Sequence, residues 1–425
     1  MSPVALETKQ KGKKISVSLM IMYAFWRFLL SSTVWSVSGL VYVAFVFLTL
    51  SLCYTVYKLG KIFEFSISAA ICLPFIVYTI FQYGISFNFE AASYWMDCLL
   101  LIIIAANTDF PHTIPKNLLI ISGGIVSIGI FVQILFPDFY YSNVATIFTS
   151  YTHIKYWGSV MNYAGFTYQL GQSAFILIMA EGAVLYLYRK KFNRFWTVPI
   201  ALLFIALIFL TGKRMLSVIS IMVPLAIYCF SGKSLSKRVK RFFIIALVIF
   251  CGLFVVISNI DYLASTNIGI FTRFADALEQ YKQGESIASS RMELIQTALE
   301  AFRSNPVFGI GAGNFISNTG AEMEVHNAYI QTLCESGIVG FSFFMVMLLY
   351  YLLKTIVLLC KSNDKGYLQF SLFTQLVFII NAFTENGTRN LEEFVLYFVA
   401  IGICIYEDMQ QKRAYYQGRE KAEIK

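Results

Sequence analysis

An all-α bundle of membrane-spanning helices is the fold that this sequence predicts, and three observations predict it. The 425 residues are 58% hydrophobic and only 13% charged, about half the charge of an ordinary soluble chain, with a mean hydropathy of +0.67. Apolar runs close to the ~20 residues that a helix needs to cross a bilayer recur along the chain. Lys and Arg gather in alternate connections, as expected when basic residues stay on the cytoplasmic side.

In order, a basic start (Lys9, Lys11, Lys13, Lys14) leads into apolar residues with no small-residue cleavage pattern, so no removable signal is expected. About twelve spans follow. The first two, 15–34 and 36–57, are the weakest because Arg27 interrupts them. Next come 66–84, 91–108, 117–136, 169–188, 196–211, 213–230 and 241–260, and finally 338–360, 367–384 and 391–407. With the N-terminus inside, the inner connections hold Lys58 and Lys61, Lys116, the clusters at 189–194 and 233–241, and Lys354, Lys361 and Lys365. An even number of spans brings the basic C-terminal tail back to the same side. This asymmetry accounts for the formal charge of +9 and makes nucleic acid the weaker explanation. The expected organisation is an N-terminal membrane part (1–260), an extracytoplasmic helical loop before the tenth span (261–337), and a C-terminal membrane part with its tail (338–425).

Two outer connections are long. One, about 137–168, is dense in Tyr and Trp, and two readings stand: an aromatic belt at the membrane interface or a surface for stacking sugars. The other, 261–337, is too long for a structureless connector. Within it Ser290 and Glu293 have the spacing of a capping box. Ile295, Leu299 and Phe302 follow on one helical face, and Ser304-Asn305-Pro306 stops the run. That helix should lie on the bundle or on the bilayer surface.

Metal and redox chemistry find few candidates. The chain has eight cysteines, most within or at the ends of apolar runs and none in C-x-x-C spacing, and three histidines. Neither disulfides nor a zinc site is expected, and no cofactor. Gly309-Ile310-Gly311-Ala312-Gly313 follows a helix rather than a strand, so it reads as a tight turn and not as a dinucleotide fingerprint.

His326 stands just before an apolar helix on the outer side. An imidazole there can accept a proton near neutral pH; the plainer reading is an interfacial histidine. His153, in the aromatic loop, competes with it, and His112 falls on the cytoplasmic side. Arg214 belongs to the turn Thr211-Gly212-Lys213-Arg214 between two runs short for a bilayer, which places the turn in a recess open to the outside. Its planar fork suits phosphate, against the alternative of a snorkelling interfacial arginine. Arg291 lies in the first turn of the capped helix, where a cation opposes the helix dipole. With Arg273, and with Arg303 and Arg389, it could extend an outer cationic patch; each alone also reads as a solvated charge. Glu181 and Asp97 fall inside spans, where hydrogen bonding between helices is their plainer role. An outward cavity with one base and several arginines could bind a pyrophosphate and deprotonate a hydroxyl.

These pieces occur in a recognisable order. Ser290-Arg291-Met292-Glu293, Asn305-Pro306, Gly309 to Asn314, His326-Asn327-Ala328-Tyr329 and Glu335 to Gly340, preceded by the turn at 211–214, resemble the bacterial O-antigen ligase and polysaccharide polymerase superfamily. About 200–345 carries the likeness; the first 165 residues share only hydropathy with it. The resemblance implies a metal-independent, inverting glycosyltransferase whose donor is a glycan on undecaprenyl pyrophosphate. It implies His326 as the base and Arg214 and Arg291 as pyrophosphate ligands, with Arg273 matching less clearly. Glu335 falls on the family's acidic position, either orienting His326 or capping a helix.

Two activities fit that family. A polymerase joins repeat units into O-antigen, capsule or exopolysaccharide; a ligase passes glycan to a lipid A core or another acceptor. The number and divergence of such polymerases favour the first, with a chain-length regulator as a possible partner. A flippase or other transporter is the third alternative, but it predicts binding residues at the midplane and related halves, whereas here the polar chemistry collects on one face.

Overall fold

The structure is a computed structural model. It describes residues 67–423 apart from 108–115, 148–155, 158–159, 162, 168, 189–193, 231–234, 267–268, 284–288, 363–364 and 387–390. The first two expected spans, His112, His153 and Arg389 lie outside the described residues. The long helices in order are α1 (Leu73–Ile85), α2 (Phe89–Asn107), α3 (Lys116–Leu135), α4 (Leu170–Gly182), α5 (Arg194–Leu210) and α6 (Arg214–Phe230). They continue with α7 (Leu235–Ser258), α8 (Gly269–Lys282), α9 (Ser289–Ser304), α10 (Ala328–Lys361), α11 (Gly366–Asn381) and α12 (Leu391–Glu423). Among the described residues the only strands are a two-residue antiparallel pair, Tyr156–Trp157 with Val160–Met161, in the aromatic connection.

Among the described residues, five stretches are long and apolar enough to cross a membrane: Ile67–Ile85, Lys116–Leu135, Leu170–Leu187, Ser236–Ser258 and Ala328–Lys361. Phe195–Leu210, Arg214–Phe230 and Gly366–Asn381 are apolar but shorter. The chain is thus a multi-pass membrane protein whose described residues are predominantly helical. Large side chains along α7, such as Phe243, Val248 and Phe254, are exposed, as suits a helix that faces lipid.

The described residues form two compact units, one of 67–115 with 290–425 and one of 116–289. In the first, aromatic rings join α1, α2, α10, α11 and α12. Phe75 lies 5.0 Å from Phe344, Trp95 4.5 Å from Phe394, and Phe378 4.7 Å from Tyr397, centroid to centroid. Offset and edge-on pairs like these add about 0.5–1.5 kcal/mol each to the burial of their area. Where α12 emerges, Asp408 pairs with Lys354 of α10 at 2.6 Å and with Lys412 at 2.9 Å.

In the second unit α4 is the central helix, buried without interruption from Ser173 to Gly182 among α3, α5 and α6. Close approach there depends on small residues: a Cβ on Gly123 of α3 would stand 2.4 Å from the Cβ of Ala180. Glu181 is fully buried, and neither carboxylate oxygen meets a hydrogen-bond partner among the described residues. Beyond it α4 loosens into a π-helical turn, Ala183–Leu187.

The amphipathic helix expected after residue 290 is α9, which begins at Ser289 and ends at Ser304 as Pro306 requires. Its apolar face is Leu294, Ile295, Ala298 and Ala301, packed on Phe315, Val325 and Cys334. The helix therefore lies on protein, covering the segment that leads to His326.

Candidate active site

The span expected to begin at residue 338 is the second part of a longer helix, α10, which starts at Ala328 and breaks at Gly337 (φ 62°, ψ −170°). A break in an α-helix strands backbone groups that would have paired four residues apart. Here the groups are the carbonyls of Cys334 and Glu335 and the N–H groups of Ile338 and Val339. The loop 306–311 satisfies all four. Ile310 N donates to Cys334 O at 3.1 Å and Gly311 N to Glu335 O at 2.9 Å. In return Ile338 N donates to Pro306 O at 2.9 Å and Val339 N to Val307 O at 3.3 Å.

That exchange explains the glycines. A Cβ on Gly309 would lie 2.3 Å from Glu335 O, and one on Gly337 would lie 2.2 Å from Val307 O. The glycine run is the backbone patch that fills a helix break. From α1, Tyr78 donates to Ser336 O at 3.0 Å, and Gln82 donates to Phe308 O at 3.0 Å. Ser336 donates to Gln82 Oε1 at 2.9 Å, so both sides of the patch are held from the same helix.

His326 stands at the mouth of α10. Its backbone is left-handed, with φ 52°, a conformation that costs a non-glycine residue free energy and persists only where its surroundings hold it. The surroundings are visible. Asn327 is the N-cap of α10, its side-chain oxygen accepting from Tyr329 N and Ile330 N, both at 3.1 Å. Ala328 N donates to Ala382 O at 2.8 Å. Asn327 Nδ2 donates to Phe383 O at 3.2 Å, and the Tyr329 hydroxyl donates to Ile379 O at 2.8 Å. The donors of the His326–Tyr329 segment thus satisfy carbonyls at the end of α11, which a helix terminus leaves unpaired.

This clamp brings a carboxylate to the histidine. Glu385 Oε2 is 3.6 Å from His326 Nδ1, with the two side chains 19% and 36% exposed. Sequence reasoning did not single out Glu385, because nothing in Thr384-Glu385-Asn386 distinguishes it locally. An Asn immediately before an apolar helix is the local signal by which the Asn327 cap could have been found, and the sequence reading passed over it.

Glu335 is buried on the first turns of α10, where its Oε1 accepts from Gln331 Nε2 at 2.9 Å; the same amide donates to Glu324. Arg291 is exposed in the first turn of α9.

Arg214 and Arg273 belong to the other unit. The turn 211–213 joins α5 to α6, with Gly212 in the left-handed region at φ 71°. Arg214 is the exposed first residue of α6. Arg273, on α8, donates from Nη1 to Gly212 O at 3.0 Å. Burial first, and then the charge of Arg214, lower the Arg273 guanidinium from its ordinary value. Two like charges at a helix N-terminus make a positive centre from side chains and backbone dipole together, suited to a bound anion. The two arginines are 59 positions apart in sequence and are brought together by the fold. Among the described residues no group of three or more His, Cys, Asp or Glu side chains is arranged to hold a metal.

No curated protein matches the chain. Residues 199–345 are similar to the family model described as O-antigen ligase, and that segment contains Arg214, Arg273, Arg291, His326 and Glu335.

Proposed function

We propose that this protein transfers glycan from a polyprenyl-pyrophosphate carrier to a sugar hydroxyl, joining repeat units into a polysaccharide on the outer face of the cytoplasmic membrane. The observation that carries the reading is His326. It lies in the segment matched to the O-antigen ligase family, on a strained backbone clamped at a helix mouth, with a carboxylate beside it. In the reaction the acceptor oxygen forms its bond to the anomeric carbon of the donor as the bond from that carbon to the pyrophosphate oxygen breaks. The hydroxyl proton passes to His326. The pyrophosphate leaves with its charge neutralised by arginine, the role given to Arg214, Arg273 and Arg291. A single displacement of this kind inverts the anomeric centre.

His326→Ala in a polymer-forming host tests the base. Protein should remain in the membrane while long chains disappear; chains of normal length from that variant would refute the role. A ligase reading fits the same family match, and deletion of the protein separates the two. Single repeat units on the final acceptor signify a lost polymerase, whereas long chains stranded on the lipid carrier signify a lost ligase.

A further inference from the structure

We propose that Glu385 is the positioning residue of the catalytic histidine, a role that rests on His326 being the base. The Glu385 carboxylate addresses Nδ1 of the imidazole at 3.6 Å. A proton held on Nδ1 by that carboxylate leaves the Nε2 lone pair for the acceptor hydroxyl, and the negative charge stabilises the imidazolium formed when the proton arrives. The contact is longer than a hydrogen bond, as base–carboxylate pairs often are before substrate binds.

The placement is built rather than incidental. Four residues before Glu385, Asn381 is fully buried, and its side chain donates to Glu393 Oε2 at 2.9 Å, which fixes the end of α11 to the start of α12. Between them the carbonyls of Ala382 and Phe383 accept from Ala328 N and Asn327 Nδ2. The Phe383 ring lies 4.5 Å from that of Tyr329. Every residue from 327 to 329 therefore contacts the segment that leads to Glu385. The family resemblance offers Glu335, nine residues after His326, either to orient it or to cap a helix; the fold adds a second carboxylate, Glu385, 59 residues after the histidine.

The test compares Glu385→Gln, Glu385→Asp, Glu385→Ala and His326→Ala in membranes, with lipid-linked glycan extracted from the host as donor. Glu385→Gln should lower kcat about 10- to 100-fold, part of what a general base contributes, with KM for the donor within about twofold. Glu385→Asp should recover most of that loss. Nitrogen NMR on histidine-labelled protein reads the contact itself, with the His326 signal identified by its absence from His326→Ala. The Nδ1–H tautomer should dominate in the native protein and give way in Glu385→Ala. Full kcat in Glu385→Gln, equal losses in the Gln and Asp variants, or an unchanged tautomer in Glu385→Ala would each overturn the proposal. Loss of activity in His326→Ala with none in the Glu385 variants would refute positioning alone; activity that survives His326→Ala would refute the base instead.

Discussion

Gly337→Ala is the sharpest probe of how the fold makes the site. Gly337 has φ 62° and ψ −170°, a region that side chains other than hydrogen essentially do not enter, at a cost of about 1–3 kcal/mol. The added methyl would also meet Val307 O at 2.2 Å and Gly309 N at 2.6 Å. Both atoms are backbone, so relief requires the loop 306–311 to withdraw. Withdrawal strands Cys334 O, Glu335 O, Ile338 N and Val339 N, at about 1 kcal/mol for each hydrogen bond lost. The expected total is about 3–6 kcal/mol, limited by how far α10 can straighten and recover its own pairs. Gly320→Ala is the control. It has a similar φ of 70° with nothing within 4 Å of the new Cβ, so it carries backbone strain without the clash and should cost about 1 kcal/mol. Thermal unfolding in detergent should place Gly337→Ala about 3–7 °C below the native protein and Gly320→Ala about 1 °C below. Equal shifts for the two would refute the view that the loop plugs the break, because strain alone would then explain both.

Two further predictions concern charge. Arg214→Gln removes a cation from a helix N-terminus and from beside Arg273, so thermal stability should hold or rise by about 0.3–1 kcal/mol while transfer falls. A variant that loses both stability and transfer would mean that Arg214 supports the fold and not the anion. Asp408→Asn leaves Lys354, its 2.6 Å partner, without its carboxylate. With Lys354 27% exposed, the loss should be about 1–3 kcal/mol, below that of a fully buried pair. Lys412→Ala, which removes a half-exposed partner, should cost under about 1 kcal/mol. The comparison is read by unfolding temperature, and a larger effect for Lys412 would reverse the assignment.

Hydropathy marked helical spans at 117–136, 196–211 and 213–230 closely, against observed helices Lys116–Leu135, Arg194–Leu210 and Arg214–Phe230. The reason is physical: in hydrocarbon every backbone group must be satisfied within its own helix, so an apolar run has one good conformation. The span at 338–360 was placed correctly but as an independent helix, because no local signal says that a helix can continue through Gly337 when another loop supplies the missing partners. The α9 face shifted for a similar reason. Ile295 was identified, while Leu294, Ala298 and Ala301 were chosen by what lies beneath them.

By itself the sequence determined that this is a helical membrane protein and where the candidate motifs lie, since both depend on residue type and on neighbours a few positions away. The tertiary structure decided the partners: the glycine loop 306–311 that completes the broken α10, Arg273 bonded to the Gly212 carbonyl beside Arg214, and Glu385 next to His326. Each of those contacts joins residues more than twenty positions apart. Distance between them is set by how buried side chains pack and how helix ends find hydrogen-bond partners, and neither is written in any local stretch of the chain.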